Sequence, residues 1–151
     1  MSAGTSLEPF VFDPTNDVHA RTLARLGSEP VIWLGTSGTD GFPHAVPVWF
    51  VWHDGRVIIL SEPKTAKVRN IRADDKVLAH LEAGDDGEQL TVLRGTAALS
   101  PESATEWLAR IGDQYTVKYE EWMLRLDLTM TSMAARYSTV IEVTPVKLIA
   151  W

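Results

Sequence analysis

At 151 residues with 45% apolar content, the chain is long enough to close one hydrophobic core without a metal or a disulfide to support it. Its 14 Lys and Arg against 20 Asp and Glu leave a net charge of −6, which excludes the net positive field that non-specific nucleic-acid or anionic-membrane binding needs. The lack of cysteine excludes a disulfide framework, thiolate metal ligation and a thiol nucleophile, and suits a reducing interior.

Residues 1–15 mix Ser, Gly, Pro and isolated aromatics without a period. They are expected to form an extended N-terminal arm ahead of one domain over residues 16–151. The opening stretch shows no basic segment leading into an apolar one, and no apolar run approaches the ~18 residues of a membrane helix, so the chain reads as cytoplasmic. Asp17 is placed to cap a short helix with Val18, Leu23 and Leu26 on one side and Gly27 at its end.

The pattern then changes period. "PVIWLGTS", "PHAVPVWFVWH" and "RVIILS" read as three consecutive strands, the last two joined by the hairpin dipeptide Asp54-Gly55, and together they predict an antiparallel meander. In the middle run, Val46, Val48, Phe50 and Trp52 fall on one face and Pro47, Trp49 and Val51 on the other. Pro47 lacks a ladder donor, which predicts a bulge or an edge there.

"KTAKVRNIRAD" breaks the alternation: Ala66, Val68, Ile71 and Ala73 can line one side of a short helix. "KVLAHLEA" and "QLTVLRGTAALS" follow as strands. Ser100-Pro101-Glu102 has the order of a cap, a first-turn proline and a first-turn acid, predicting a helix from there to near Gln114, with a second helical stretch over "EEWMLRLDLTMTSMAARY". In that stretch, "TMTSMAARY" suits core packing or an adaptable cover over a pocket. "STVIEVTP" and "VKLIAW" end the chain as a strand, a turn at Pro145 and a strand edge. About six strands, most of them consecutive, argue for a mainly β fold: a closed or nearly closed antiparallel barrel with peripheral helices.

One stretch stands against the acidic background. Lys64, Lys67, Arg69, Arg72 and Lys76 fall within thirteen residues, directly after a strand and at the start of the short helix. A helix N-terminus offers unpaired backbone N–H groups and about half a positive charge, so hydroxyls and cations beside it make a phosphate site. Ser61, Lys64, Thr65 and Lys67 supply those groups. The four histidines, His19, His44, His53 and His80, have no metal-binding spacing, and no metal site is expected. No nucleophile elbow or nucleotide loop occurs, and no catalytic residue is assigned.

The segment "GTDGFPHAVPVWFVWHDGRVIILSEPKTAKVRNIRADDKV" resembles the pyridoxamine-phosphate-oxidase-like split-barrel superfamily and, within it, the flavin/deazaflavin oxidoreductases of actinobacterial type. The resemblance is carried in order by Asp40-Gly41, Pro47-Val48-Trp49, Asp54-Gly55, Ser61, and then Lys67 and Asn70 in the following helix. "LRGTAAL" and "VIEVTPVKLIAW" extend it to the end of the chain. It implies a six-stranded antiparallel split β-barrel of the FMN-binding type and a homodimer with two cofactor sites at the subunit interface. A tricyclic ring would rest against Val46, Pro47, Val48 and Trp49, with phosphate at Ser61, Lys64, Thr65, Lys67 and Asn70.

The implied cofactor is coenzyme F420, a deazaflavin, with FMN as the alternative. Arg69, Arg72 and Lys76 are available for the carboxylates of the longer F420 tail. The arginine-rich C-terminal motif of pyridoxamine phosphate oxidases proper is not found, which argues against vitamin B6 oxidation. The implied activity is hydride transfer from the reduced deazaflavin to a small planar acceptor, with Tyr137 and His44 as candidates to supply a proton. A carrier that binds the cofactor without turnover is the reading from another class.

Overall fold

A computed structural model describes residues 7–151, and it is built from seven strands and four helices among those residues. In chain order they are α1 (Asp17–Ser28), β1 (Ile32–Ser37), β2 (Pro43–Val48), β3 (Val51–His53), β4 (Arg56–Ser61), α2 (Ala66–Ala73), β5 (Lys76–His80), β6 (Thr91–Leu99), α3 (Ala104–Arg125), α4 (Met130–Arg136) and β7 (Thr139–Ala150). No helix of the described residues is long and apolar enough to cross a membrane. Residues 1–6 of the expected arm lie outside the described residues, and the rest of it is tied to the sheet where the Phe10 amide donates to the Pro145 carbonyl at 2.8 Å.

All seven strands join one antiparallel sheet in the order β2-β1-β5-β6-β7-β4-β3. The strand count is thus seven where six are expected, because "PHAVPVWFVWH" is not one strand. It breaks at Trp49-Phe50, and its halves β2 and β3 form the two opposite edges of the sheet. A flat sheet of seven strands would separate those edges by about 29 Å, at roughly 4.8 Å per strand. Two residues cannot span that gap, so the sheet rolls up until its edges meet, and the connection closes a split barrel. The expected three-strand meander is therefore two hairpins, β1–β2 and β3–β4, with no pairing between β2 and β3. The second hairpin turns on Asp54 and Gly55, both at positive φ (50° and 73°), as a two-residue turn with the right twist demands.

Two apolar compartments result. Ile32, Leu34, Phe50, Val57, Ile59, Leu93, Ile141 and Val143 fill the barrel interior, with Leu26 of α1 and Val68 and Ile71 of α2 packed at its ends. Val51, Ile58, Leu60 and Val140 face the other way, into α3 and α4, against Trp107, Ile111, Tyr115, Tyr119 and Met133. The alternation read in the sequence survives the break: Val48, Phe50 and Trp52 face the barrel, Trp49 and Val51 the helical side.

Several boundaries differ from expectation, among them the end of α1, which runs through Gly27 to Ser28. The cap of α1 is Asn16, whose side chain accepts from the Val18 and His19 amides, and not Asp17. The helix expected from Ser100 starts at Ala104, capped by Ser103 in a reciprocal box with Glu106, and runs on to Arg125. Its last turn absorbs the first part of the expected second helix, leaving α4 to begin at Met130. Pro145 does not end the last strand: β7 is continuous over twelve residues, and a register shift opposite Arg94 and Gly95 accommodates the missing donor.

Candidate functional site

The strand β4 is buried on both faces, which carries Ser61 to the interior at 1% exposure just as the chain turns toward α2. The Ser61 hydroxyl donates to the Glu62 carbonyl at 2.9 Å and lies 3.3 Å from the Thr65 hydroxyl. Thr65 is the N-cap residue of α2, yet its side chain caps nothing. The first turn of α2 thus starts beside two hydroxyls and without a side-chain cap. Lys67 lies in that turn. Burial pushes its pKa below the ordinary lysine value, and the charge of Glu62 draws it back up.

These groups form the polar end of a cleft of about 400 Å³. Its apolar lining is Pro47, Val48 and Trp49 of the β2–β3 ribbon, Leu60 of β4, Tyr115 of α3, Leu126 and Leu128 of the α3–α4 connection, and Met133 and Tyr137 of α4. The Trp49 ring is stacked on Tyr119, with centroids 4.6 Å apart and planes at 3°, so the wall it presents is held flat from behind. Burial, with Tyr119 and Tyr137 close by, pushes the Tyr115 hydroxyl well above its usual range, so it stays protonated. The arrangement offers an apolar slot for a planar group and, at one end, hydroxyls, free helix-start amides and an ammonium for an anion.

Of the residues singled out in the sequence, Pro47, Val48, Trp49, Ser61, Thr65 and Lys67 line this cleft. Val46, Lys64 and Asn70 do not. Val46 pairs with Leu34, whose side chain is buried in the barrel, and so faces inward. Lys64 is exposed on the turn ahead of α2. Asn70 is buried and donates its amide to the Thr36 hydroxyl at 3.0 Å, tying α2 to β1. Of the two proton-donor candidates, Tyr137 lines the cleft, whereas His44 pairs with the buried Thr36 on the barrel side of β2. Arg69, Arg72 and Lys76 are exposed and take no part in the cleft wall.

Sequence reasoning missed Glu62, Tyr115, Leu126 and Leu128. Tyr115 recurs at helical spacing with Ile111 and Tyr119 and looks like pure core. Met133 and Tyr137 belong to the "TMTSMAARY" stretch, where both readings meet: Met133 is buried and also borders the cleft.

Residues 18–151 match the family described as pyridoxamine 5'-phosphate oxidase. No protein of curated function matches the sequence. Among solved structures, a conserved hypothetical protein of Mycobacterium tuberculosis superposes with a TM-score of 0.70 at 23% identity, over 95% of this chain and 89% of its own. A protein named F420 reductase does so with a TM-score of 0.63 at 22% identity, over 83% and 94% of the two chains. The heme storage protein of Vibrio cholerae shares the fold at 13% identity with a TM-score of 0.63, over 86% and 92%. At such identities these likenesses speak for the architecture alone. The sequence match across all but the first seventeen residues, together with the rolled seven-stranded sheet, makes the chain a member of the pyridoxamine 5'-phosphate oxidase family.

Proposed function

We propose that the cleft holds a phosphate-bearing flavin-type cofactor, coenzyme F420, and that the protein is an oxidoreductase passing hydride from the reduced deazaflavin to a small planar organic acceptor. The observation that carries this reading is the convergence of Ser61, Thr65, Lys67 and the uncapped start of α2 at one end of a slot walled by Pro47, Val48 and Trp49. A likeness to a protein named F420 reductase supports it. When bound, a deazaflavin supplies two-electron hydride chemistry. The chain's share is to hold the anion at the start of α2, to keep one ring face against the Trp49 wall and to exclude water with Leu126, Leu128 and Met133. The Tyr137 hydroxyl, on the wall facing that ring, is placed to give a proton to the acceptor.

The site is proposed to be completed by a second copy of the chain. Pro47 pairs with Trp33 on the outer face of the sheet and also borders the cleft, so that face runs directly into the site.

One observation favours FMN as the second reading: among the described residues Lys67 is the only cation lining the cleft, enough for a single phosphate but not for a tail of carboxylates. Equilibrium binding separates the two. For the F420 reading, titration of deazaflavin fluorescence saturates and Lys67→Ala weakens binding by about 1.5–3 kcal/mol, the worth of a charge-assisted hydrogen bond. Retention of yellow flavin through dialysis favours FMN, and unchanged affinity of the Lys67 variant removes the anion assignment. A bound, reduced cofactor that no enone or quinone reoxidises would make the protein a carrier.

A further inference from the structure

A carboxylate is an unexpected neighbour for an anion site, yet Glu62 stands between Ser61 and Thr65 and lines the same cleft. The Ser61 and Thr65 hydroxyls both donate to its backbone carbonyl, so the turn geometry hangs on the main chain and the side chain is left free to pair. That side chain accepts from the Arg136 Nε at 2.7 Å, and its charge also acts on Lys67. Arg136 belongs to α4, the wall that carries Met133 and Tyr137, and its guanidinium lies 5.3 Å from the Tyr137 ring centre. The carboxylate therefore pairs with Arg136 beside the polar end of the cleft, and its charge also reaches Lys67.

We propose that Glu62 is a built-in competitor for the ligand's phosphate: on binding, the phosphate at Lys67 takes Arg136 from the carboxylate, which makes Arg136 the second cation of the site. This rests on the reading of the cleft as a site for a phosphate-bearing ligand. An exposed ion pair of this kind holds its partners weakly, and Arg136 and Glu62 are 65% and 41% exposed at their side chains. The phosphomonoester of FMN brings nearly two charges and three acceptor oxygens against one charge on a carboxylate, whereas the phosphodiester of F420 brings one charge and two free oxygens; the planar guanidinium can bind either through two parallel hydrogen bonds. The exchange thus favours a phosphomonoester outright, and a phosphodiester once the rest of the cofactor fills the slot, and Glu62 sets how strongly: it lowers affinity for phosphate esters and leaves the apolar slot untouched.

The test is titration of two matched pairs, FMN with riboflavin and F420 with its phosphate-free deazaflavin precursor, against the wild type, Glu62→Gln, Arg136→Gln and the double variant. For the pair the wild type binds, Glu62→Gln tightens the phosphate-bearing member by about fivefold to tenfold and leaves the phosphate-free member unchanged. Arg136→Gln weakens the phosphate-bearing member by about tenfold, with or without Glu62. If Glu62→Gln weakens binding, leaves it unchanged or moves both members of a pair equally, the ion pair is a strap between the walls and the proposal fails alone. If the wild type binds neither phosphate-bearing compound, the cofactor reading fails and takes this inference with it.

Discussion

Phe50 has no strand partner, and the way its polar groups are satisfied explains why the break between β2 and β3 is stable. Its amide donates to the Tyr119 hydroxyl at 2.8 Å, and that hydroxyl lies 2.7 Å from the Pro30 carbonyl and 2.8 Å from the Phe50 carbonyl as acceptors for its proton. Lys118 adds a bond from its Nζ to the Phe50 carbonyl at 2.9 Å, with the ammonium 3.5 Å from the Phe50 ring centre. Burial lowers the Lys118 pKa to about 8 from an ordinary 10.5, with the charge of Glu29 opposing the shift. Between those values the unfolded chain binds the proton more tightly than the folded one, so this group adds stability as pH rises from about 8 toward 10.5 and withholds it below. Burial raises the Tyr115 and Tyr119 pKa values, which acts in the opposite sense above pH 10 but equally in a Lys118 variant. Urea unfolding of the wild type and Lys118→Met should therefore show a stability difference that shifts in favour of the wild type between pH 7.5 and 10. A difference that stays flat would show that Lys118 keeps an ordinary pKa.

At the scale of elements, β6 and β7 form the longest pairing in the sheet, and at Gly95 the β7 backbone leaves no room for a side chain. A Cβ at Gly95 would lie 2.5 Å from the Thr144 carbonyl oxygen and 3.1 Å from its carbon, both backbone atoms that cannot rotate away. Gly95→Ala should lower the unfolding free energy by about 1–3 kcal/mol, the usual cost of overpacking, read from the urea midpoint at constant slope. An unchanged midpoint would mean that β7 slides freely past β6. The same region shows what the sequence does and does not carry. Pro145 signals a lost donor, which was read as a turn; that a bulge in the pairing absorbs the loss depends on both strands and is invisible in either. The break at Trp49-Phe50 is hidden for a similar reason, since alternation continues through it and only closure of the ring requires it. By contrast, Ser61, Thr65 and Lys67 were legible because strand end, turn and helix start are contiguous, so local rules fix them as neighbours. Lys64 and Asn70 sit in the same segment but do not line the cleft, because which side of a short helix faces it is decided by what packs on the other. Tyr115, Leu126 and Leu128 come from distant segments, and no local pattern brings them to the cleft beside Trp49.

For the whole molecule, the outer face of the sheet is the feature left without a partner. Leu78 is 38% exposed and Ile149 36%, and on the same face Trp33 stacks on His80 with centroids 6.1 Å apart. Such apolar exposure on a broad sheet marks an association surface, and a second copy of the chain is its proposed occupant. Sedimentation at micromolar concentration should give the mass of two chains for the wild type and of one for Leu78→Asp, with cofactor affinity lost in the variant. A Leu78 variant that keeps both its mass and its affinity would place the site within one chain. The ribbon at Trp49-Phe50 carries a last consequence. It is at once the seam where the rolled sheet meets itself and the floor on which a flat ring would lie. An occupant there would bridge the rolled sheet to the helices on the far side, acting as a clasp, so a filled site would be harder to unroll than an empty one.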